Sequence, residues 1–122
     1  MPDGGRVVLV GSRTASGAAG RSQYAATKAA LLGMARSWAA ELAPRGITVN
    51  TVDPGATDTG YATGEVYAAG LARMPMGRWG EPDDAARLIA FLATDDARWI
   101  TGQVIASTGG EGLVTHDPRA RA

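Results

Sequence analysis

A tyrosine and the only lysine of the chain stand four residues apart, at Tyr24 and Lys28. On a helix this spacing places both side chains on one face, one turn apart. A phenol beside an ammonium exchanges its proton more readily, because the cation stabilises the phenolate. The other eleven positively charged side chains are arginines. If position 28 needed only a solvated cation, an arginine would be expected there, so the lysine indicates a need for a compact point charge. The pair predicts proton transfer; the plain alternative is a surface tyrosine over a snorkelling lysine.

Composition limits the function. Twelve basic and twelve acidic residues balance, and the pI of about 6.6 gives no reason to expect nucleic acid or an anionic membrane as a partner. The absence of cysteine excludes disulfides and thiolate metal sites and fits a reducing compartment. The apolar run over residues 7–10 is too short for a signal peptide or a membrane span. We therefore expect one soluble, cytoplasmic domain.

Strand and helix patterns alternate along the chain. Short runs rich in β-branched residues predict strands over residues 6–11, buried on both faces, 47–52 and 102–107. Helical periodicity predicts long helices over residues 22–43 and from Pro82 onward, and a short helix around residues 65–73. Such alternation is typical of an α/β fold with a parallel sheet.

Particular residues mark the start and the apolar positions of the first long helix, and others mark the end of the folded part of the chain. Ser22 is expected to cap the first long helix. Leu31, Met34, Trp38 and Leu42 recur at helical spacing as its larger apolar residues. From residue 114 onward the chain is polar, and we expect a solvated tail.

Polar residues follow two of the predicted strands. In parallel sheets, ligands bind beyond the carboxyl ends of the strands. Ser12 comes directly after the first strand and residues 54–59 directly after the second. The helix that carries Tyr24 and Lys28 begins at the same edge of the sheet, so these groups are expected to converge on one site. The alternative for Ser12 is a simple turn serine at a strand end.

These residues, in this order, resemble the classical short-chain dehydrogenases/reductases. Ser12 is followed twelve positions later by Tyr24-x-x-x-Lys28, and the resemblance extends from about residue 5 to residue 113. Four further runs carry it, at residues 45–50, 54–59, 77–82 and 100–103.

The resemblance implies hydride transfer between the nicotinamide of NAD or NADP and the carbon of a small-molecule alcohol or carbonyl substrate. Tyr24 would be the general acid–base, Ser12 would hydrogen-bond the substrate oxygen, and Lys28 would assist the tyrosine. Tyr24 and Lys28 would also contact the cofactor, with Lys28 on the nicotinamide ribose. The nicotinamide end would be held by Pro54, Gly55, Thr57 and Thr59.

Part of the family pattern is absent. The glycine-rich stretch over residues 11–20 lacks the spacing of a pyrophosphate-binding turn and leads into the Tyr24 helix instead. We therefore interpret residues 1–113 as the C-terminal part of a Rossmann-like doubly wound parallel sheet, with about three strands and two long helices. The N-terminal cofactor-binding half would be absent, and residues 114–122 would form the polar tail.

Other functions fit these residues less well. A serine hydrolase would need a G-x-S-x-G turn and a suitable histidine, but the only histidine is His116 in the tail. Relatives that modify nucleotide sugars share the Tyr-x-x-x-Lys motif, but the Pro-Gly turn fits the classical branch better. The remaining alternative is not an enzyme: a truncated, catalytically inert fragment, or a partner that dimerises with full-length relatives. A full-length protein is expected to form a homo-oligomer through the 22–43 helix.

The resemblance also assigns a role to residues 59–80, which would cover the substrate. The expected lining of this moderately apolar pocket is Tyr61, Tyr67, Leu71, Met74 and Met76.

Overall fold

A computed structural model describes residues 1–113, which form an α/β unit. Its main elements are β1 (Arg6–Val10), α1 (Ser22–Leu42), β2 (Thr48–Asp53), α2 (Gly64–Leu71), α3 (Pro82–Leu92) and β3 (Val104–Ala106). The predicted alternation of strands and helices is confirmed. The predicted polar tail, with His116, lies outside the described residues.

β2 is the central strand of a parallel sheet with the order β1-β2-β3. All six of its residues are buried. On one face Val49 packs against Ala35 and Ala39 of α1, and on the other Val52 packs against Leu92 of α3. The sheet is therefore covered by one long helix on each side, as in a doubly wound fold.

β1 is less buried than its sequence predicts. Its residues are only partly buried, and Val10 is 47% exposed. Within residues 1–113, β1 pairs with β2 alone, so its other edge carries unpaired backbone groups. The predicted burial on both faces is confirmed only in part: Val7 and Leu9 pack against the α1 side of the core and Val8 against the α3 side, but each is only partly buried. Burial of a strand depends on the neighbouring strand as well as on its own side chains.

α1 contacts the sheet through small residues. Its buried positions are all alanines, at 25, 35 and 39, whereas Met34 and Trp38 are 39% and 36% exposed. Alanines allow the helix to approach β2 closely. Of the larger side chains, Leu42 packs against this cluster, whereas Met34 and Trp38 lie toward the outside. The prediction that Ser22 caps this helix is wrong: Ser22 is its first helical residue, and Arg21 occupies the cap position without a side-chain hydrogen bond. The homo-oligomer contact along α1 stays a prediction.

α3 begins at Pro82, as predicted, and its first turn is fixed by an ion pair. The Asp84 carboxylate accepts hydrogen bonds from the Arg78 guanidinium at 2.6 and 2.9 Å, and from the Glu81 N–H at 2.7 Å. The Arg78 guanidinium and the Glu81 N–H hold the pKa of the Asp84 carboxyl well below its usual range. The segment before α3 is thereby tied to the helix start.

Trp79 is the buried side chain on which the segment between β2 and α3 packs. It is 5% exposed, stacks on Tyr67 with ring centroids 5.1 Å apart, and meets the edge of Tyr61 at 6.0 Å. Its indole N–H donates to the Tyr67 carbonyl at 3.1 Å. Gly70 faces the indole so closely that a Cβ there would overlap the ring. The two tyrosines predicted to line a substrate pocket thus pack on Trp79, and their contact with a substrate stays a prediction.

No helix within residues 1–113 has both the length and the apolar character needed to cross a bilayer.

A buried amide joins β2 to the chain that enters β3. Asn50 is fully buried; its Nδ2 donates to the Ile100 carbonyl at 2.8 Å, and its Oδ1 accepts from the Gln103 N–H at 3.1 Å. The Thr101 hydroxyl oxygen accepts from the Val49 N–H at 3.0 Å. Residues 100–103 therefore have a structural role, since they align β3 with β2.

Replacement of Asn50 by Ala should destabilise the fold by about 2–4 kcal/mol, because the Ile100 carbonyl and the Gln103 N–H would lose their partner in the interior. Urea unfolding of the purified chain measures this change. Gln23→Ala is the matched control, since Gln23 is an exposed amide on α1, and it should change stability by less than about 0.5 kcal/mol. Equal losses in the two variants would contradict this role of Asn50.

Candidate active site

The Lys28 side chain connects α1 to the end of β1. Its ammonium donates a hydrogen bond to the Val10 carbonyl oxygen at 2.9 Å. An ammonium has three N–H donors, and this contact uses one of them. Among the described residues Val10 is its one hydrogen-bond partner. Lys28 is therefore fixed in position while keeping donors for a ligand.

Tyr24 lies one turn before Lys28 on the same face of α1. The Lys28 ammonium is 5.9 Å from the centre of the Tyr24 ring, within the range at which a cation is attracted to a ring face. Tyr24 is 46% exposed and borders a surface cleft of about 430 Å³ with residues 20–23. The structure thus brings the two predicted residues together, with the phenol accessible to a small molecule.

Ser12 follows β1 where the chain still runs beside β2. The Gly11 N–H donates to the β2 backbone at 2.7 Å, and a Cβ at Gly11 would lie 2.8 Å from the Thr51 methyl group. Glycine therefore permits the close approach that sets the position of Ser12. The Ser12 hydroxyl oxygen accepts from the Thr14 N–H at 3.1 Å and caps a short 3-10 helix. Its proton remains available for donation.

The 54–59 turn follows β2 at the same edge of the sheet. Gly55 has a φ of +64°, a conformation that favours glycine. The Thr57 hydroxyl lies 3.4 Å from the Pro54 carbonyl oxygen, so it faces its own turn. Thr59 is exposed. The structure therefore places the four predicted turn residues beyond the strand end that neighbours Ser12, and within the described chain no hydrogen bond joins them to Tyr24 or Lys28.

A groove of about 470 Å³ lies where β1 and β3 end. Arg13, the residue after Ser12, lines it together with Met76, which was predicted to contact the substrate. The ion pair of Arg78 and Asp84 lines the same groove. Charged and apolar groups therefore share this surface.

Glu111 is a residue of this region that the sequence analysis missed. Its Oε2 accepts a hydrogen bond from the Ala56 N–H, in the 54–59 turn, at 3.1 Å. Glu111 follows β3, so the rule that ligands bind beyond strand ends was a usable signal. The pattern gave no link to Ala56, because the two residues are 55 positions apart.

A phenol, a hydroxyl and an ammonium thus lie around the end of β1. Tyr24 and Ser12 can each donate a hydrogen bond to a ligand oxygen, and Tyr24 can also transfer a proton to it. Among residues 1–113 no group of three or more His, Cys, Asp or Glu side chains could hold a metal ion. The arrangement suits proton transfer at an oxygen atom.

Known proteins share this sequence pattern. The family model described as enoyl-(acyl carrier protein) reductase matches residues 1–111. The uncharacterized oxidoreductase YjdA of Bacillus subtilis (strain 168) is 57% identical over 91 residues, which cover 75% of this chain and 36% of YjdA. The 3-oxoacyl-[acyl-carrier-protein] reductase FabG of Escherichia coli (strain K12) is 44% identical over 114 residues, which cover 90% of this chain and 47% of FabG. The chain spans less than half the length of these relatives.

Solved structures share the fold. A blue fluorescent protein from a metagenomic library, in complex with NADPH, matches with a TM-score of 0.86 and 45% identity over 93% of this chain and 47% of that chain. The angucycline C-6 ketoreductase LanV with bound NADP matches with a TM-score of 0.87 and 41% identity over 93% and 46%. The predicted Rossmann-like sheet is confirmed. The chain belongs to the short-chain dehydrogenase/reductase family.

Proposed function

We propose that this chain is the catalytic part of an NADP(H)-dependent oxidoreductase that interconverts a small-molecule alcohol and a carbonyl compound. The observation that carries the proposal is the Tyr24–Lys28 pair, anchored to β1 by the bond between Lys28 and the Val10 carbonyl. Ser12 follows two residues after Val10. An acid–base group, a cation and a hydroxyl are thereby held at one strand end, as a reaction at oxygen requires.

Each side chain has a distinct task in the proposed reaction. The nicotinamide supplies or accepts the hydride when it is bound. In the direction of reduction, Tyr24 donates its phenolic proton to the carbonyl oxygen while Ser12 hydrogen-bonds the same atom. Lys28 stabilises the phenolate that remains, because its ammonium lies 5.9 Å from the centre of the Tyr24 ring and opposite charges attract. Oxidation of the alcohol uses the same groups in reverse.

The described residues suit the nicotinamide end of a dinucleotide. Lys28 keeps two N–H donors beyond its bond to Val10, and ribose hydroxyls can accept them. The proposed contacts for the carboxamide are backbone or hydroxyl groups of Thr57 and Thr59; because the Thr57 hydroxyl faces its own turn, the backbone is the contact expected at Thr57. The choice of NADP(H) rests on resemblance, since two similar structures are named with NADPH or NADP.

Loss of the Tyr24 hydroxyl should nearly abolish turnover. The test protein carries the N-terminal half of E. coli FabG ahead of the 122-residue chain, in place of the cofactor-binding half that the resemblance implies; we call it the joined protein. Tyr24→Phe should lower kcat by about 10²–10⁴-fold, since only the transferable proton is lost, and should leave the dissociation constant for NADPH within about threefold. Oxidation of NADPH with a 3-oxoacyl thioester provides the assay. Near-normal turnover by Tyr24→Phe would refute the proposed acid–base role.

A similar test applies to the cation at position 28. Lys28→Arg should reduce kcat/KM by at least about 10²-fold, because a planar guanidinium cannot reproduce a point charge with three donors. Arg36→Lys is the matched control, since Arg36 is exposed on α1, and its activity should stay within about twofold of the unmodified joined protein. Full activity of Lys28→Arg would remove the lysine from the mechanism.

Cofactor binding separates an enzyme from an inert fragment. We expect the 122-residue chain alone to show no saturable binding of NADH or NADPH, because residues 11–20 form a 3-10 helix and loop rather than a turn that cradles a pyrophosphate. The joined protein should bind NADPH in a fluorescence titration. Saturable binding of NADH or NADPH by the folded chain alone would show that residues 1–122 carry more of the site than proposed. If the joined protein is folded and does not bind NADPH, the inert fragment is the better interpretation.

A further inference from the structure

The chain that follows β3 folds back over the 54–59 turn. The Ser107 N–H donates to the Asp53 carbonyl at 2.8 Å, which continues the pairing of β3 with β2. A Cβ on Gly55 would lie 2.9–3.1 Å from three atoms of Thr108, including its Cα. We name residues 107–113 the C-terminal segment; its backbone is in direct contact with the turn.

The C-terminal segment also reaches the end of β1. The Arg13 guanidinium lies against Gly112, in the space that a Cβ there would occupy. The segment is folded on itself by bonds from the Glu111 N–H to the Thr108 carbonyl at 3.1 Å and from the Leu113 N–H to the Gly110 carbonyl at 2.9 Å. It therefore bridges the ends of all three strands, the edge at which the proposed reaction takes place.

Glu111 joins the C-terminal segment to the turn by a side-chain hydrogen bond. Its carboxylate accepts the Ala56 N–H at 3.1 Å, a charge-assisted bond to the backbone. The carbonyl oxygen of Ala56 accepts a second hydrogen bond, from the Gly80 N–H at 3.1 Å. The Asp58 N–H in turn donates to the Gly80 carbonyl at 2.8 Å. The middle of the turn is thus held from two sides, by one side chain and by one backbone bridge.

We propose that Glu111 is a positioning residue for the nicotinamide end of the dinucleotide. The role rests on the proposed function. Glu111 bonds to the backbone of the turn and not to the reacting groups, so it acts through the shape of the turn. Gly55 gives the turn wide conformational freedom, and a turn that is already ordered loses less entropy when it binds a ligand. Without Glu111 the turn has the Gly80 bridge alone to hold Ala56.

The test compares two ligands on the joined protein. NADPH contains the nicotinamide, whereas 2′-phospho-ADP-ribose lacks it and so lacks the group that the turn is proposed to hold. Calorimetry should show that Glu111→Ala weakens NADPH binding by about tenfold, because the less ordered turn loses more entropy when it binds the ligand, and leaves the affinity for 2′-phospho-ADP-ribose unchanged. Glu111→Gln keeps an acceptor oxygen and should restore most of the NADPH affinity. Asp96→Ala, at an exposed acid in the 3-10 helix after α3, should behave like the unmodified protein.

Hydrogen exchange in the 122-residue chain gives a second readout that needs no cofactor. The Ala56 amide should exchange about tenfold faster in Glu111→Ala than in the unmodified chain, and the Gly80 amide should change much less. Equal affinity of all variants for NADPH, or equal losses for both ligands, would overturn the role of Glu111 while leaving the proposed function intact. Failure of the unmodified joined protein to bind NADPH, while its circular dichroism spectrum and thermal transition show a folded protein, would overturn the proposed function and this role with it.

Discussion

The burial of β2 is the constraint on which the rest of the structure depends. A strand with neighbours on both edges and helices on both faces has no water to satisfy its polar groups. Asn50 in the middle of this strand therefore needs partners within the protein, and it finds them in the Ile100 carbonyl and the Gln103 N–H. These two bonds fix where β3 lies beside β2, and hence where the chain beyond β3 can reach.

The register of the sheet decides which groups meet at its carboxyl edge. Gly11 continues the pairing of β1 with β2 and so places Ser12 beside the start of the 54–59 turn. Lys28 crosses from α1 to the Val10 carbonyl, which ties the helix that carries Tyr24 to the same edge. The C-terminal segment covers the turn from the third strand. Three strand ends and one helix thus supply the candidate groups, although their sequence positions span about a hundred residues.

Local patterns predicted the elements and the central pair, because both depend on short-range spacing. Tyr24 and Lys28 lie on one helical face wherever the helix goes, and the apolar runs of the strands need no tertiary context to be recognised. Burial of β1 could not be predicted in the same way, since the exposure of Val10 depends on which strand lies next to it. The packing of Tyr67 on Trp79 and the bond from Glu111 to Ala56 also join residues whose proximity only the folded path of the chain reveals.

The proposed function requires that Tyr24, Lys28 and the 54–59 turn surround the nicotinamide end of a dinucleotide. A crystal structure of the joined protein with NADP⁺ would show whether they do. We expect a ribose hydroxyl within about 2.7–3.2 Å of the Lys28 Nζ atom, the carboxamide against the 54–59 turn, and the Tyr24 hydroxyl facing the reacting carbon of the ring. A dinucleotide whose nicotinamide lies away from Tyr24 and Lys28, with the Lys28 ammonium bonded to the Val10 carbonyl alone, would contradict it.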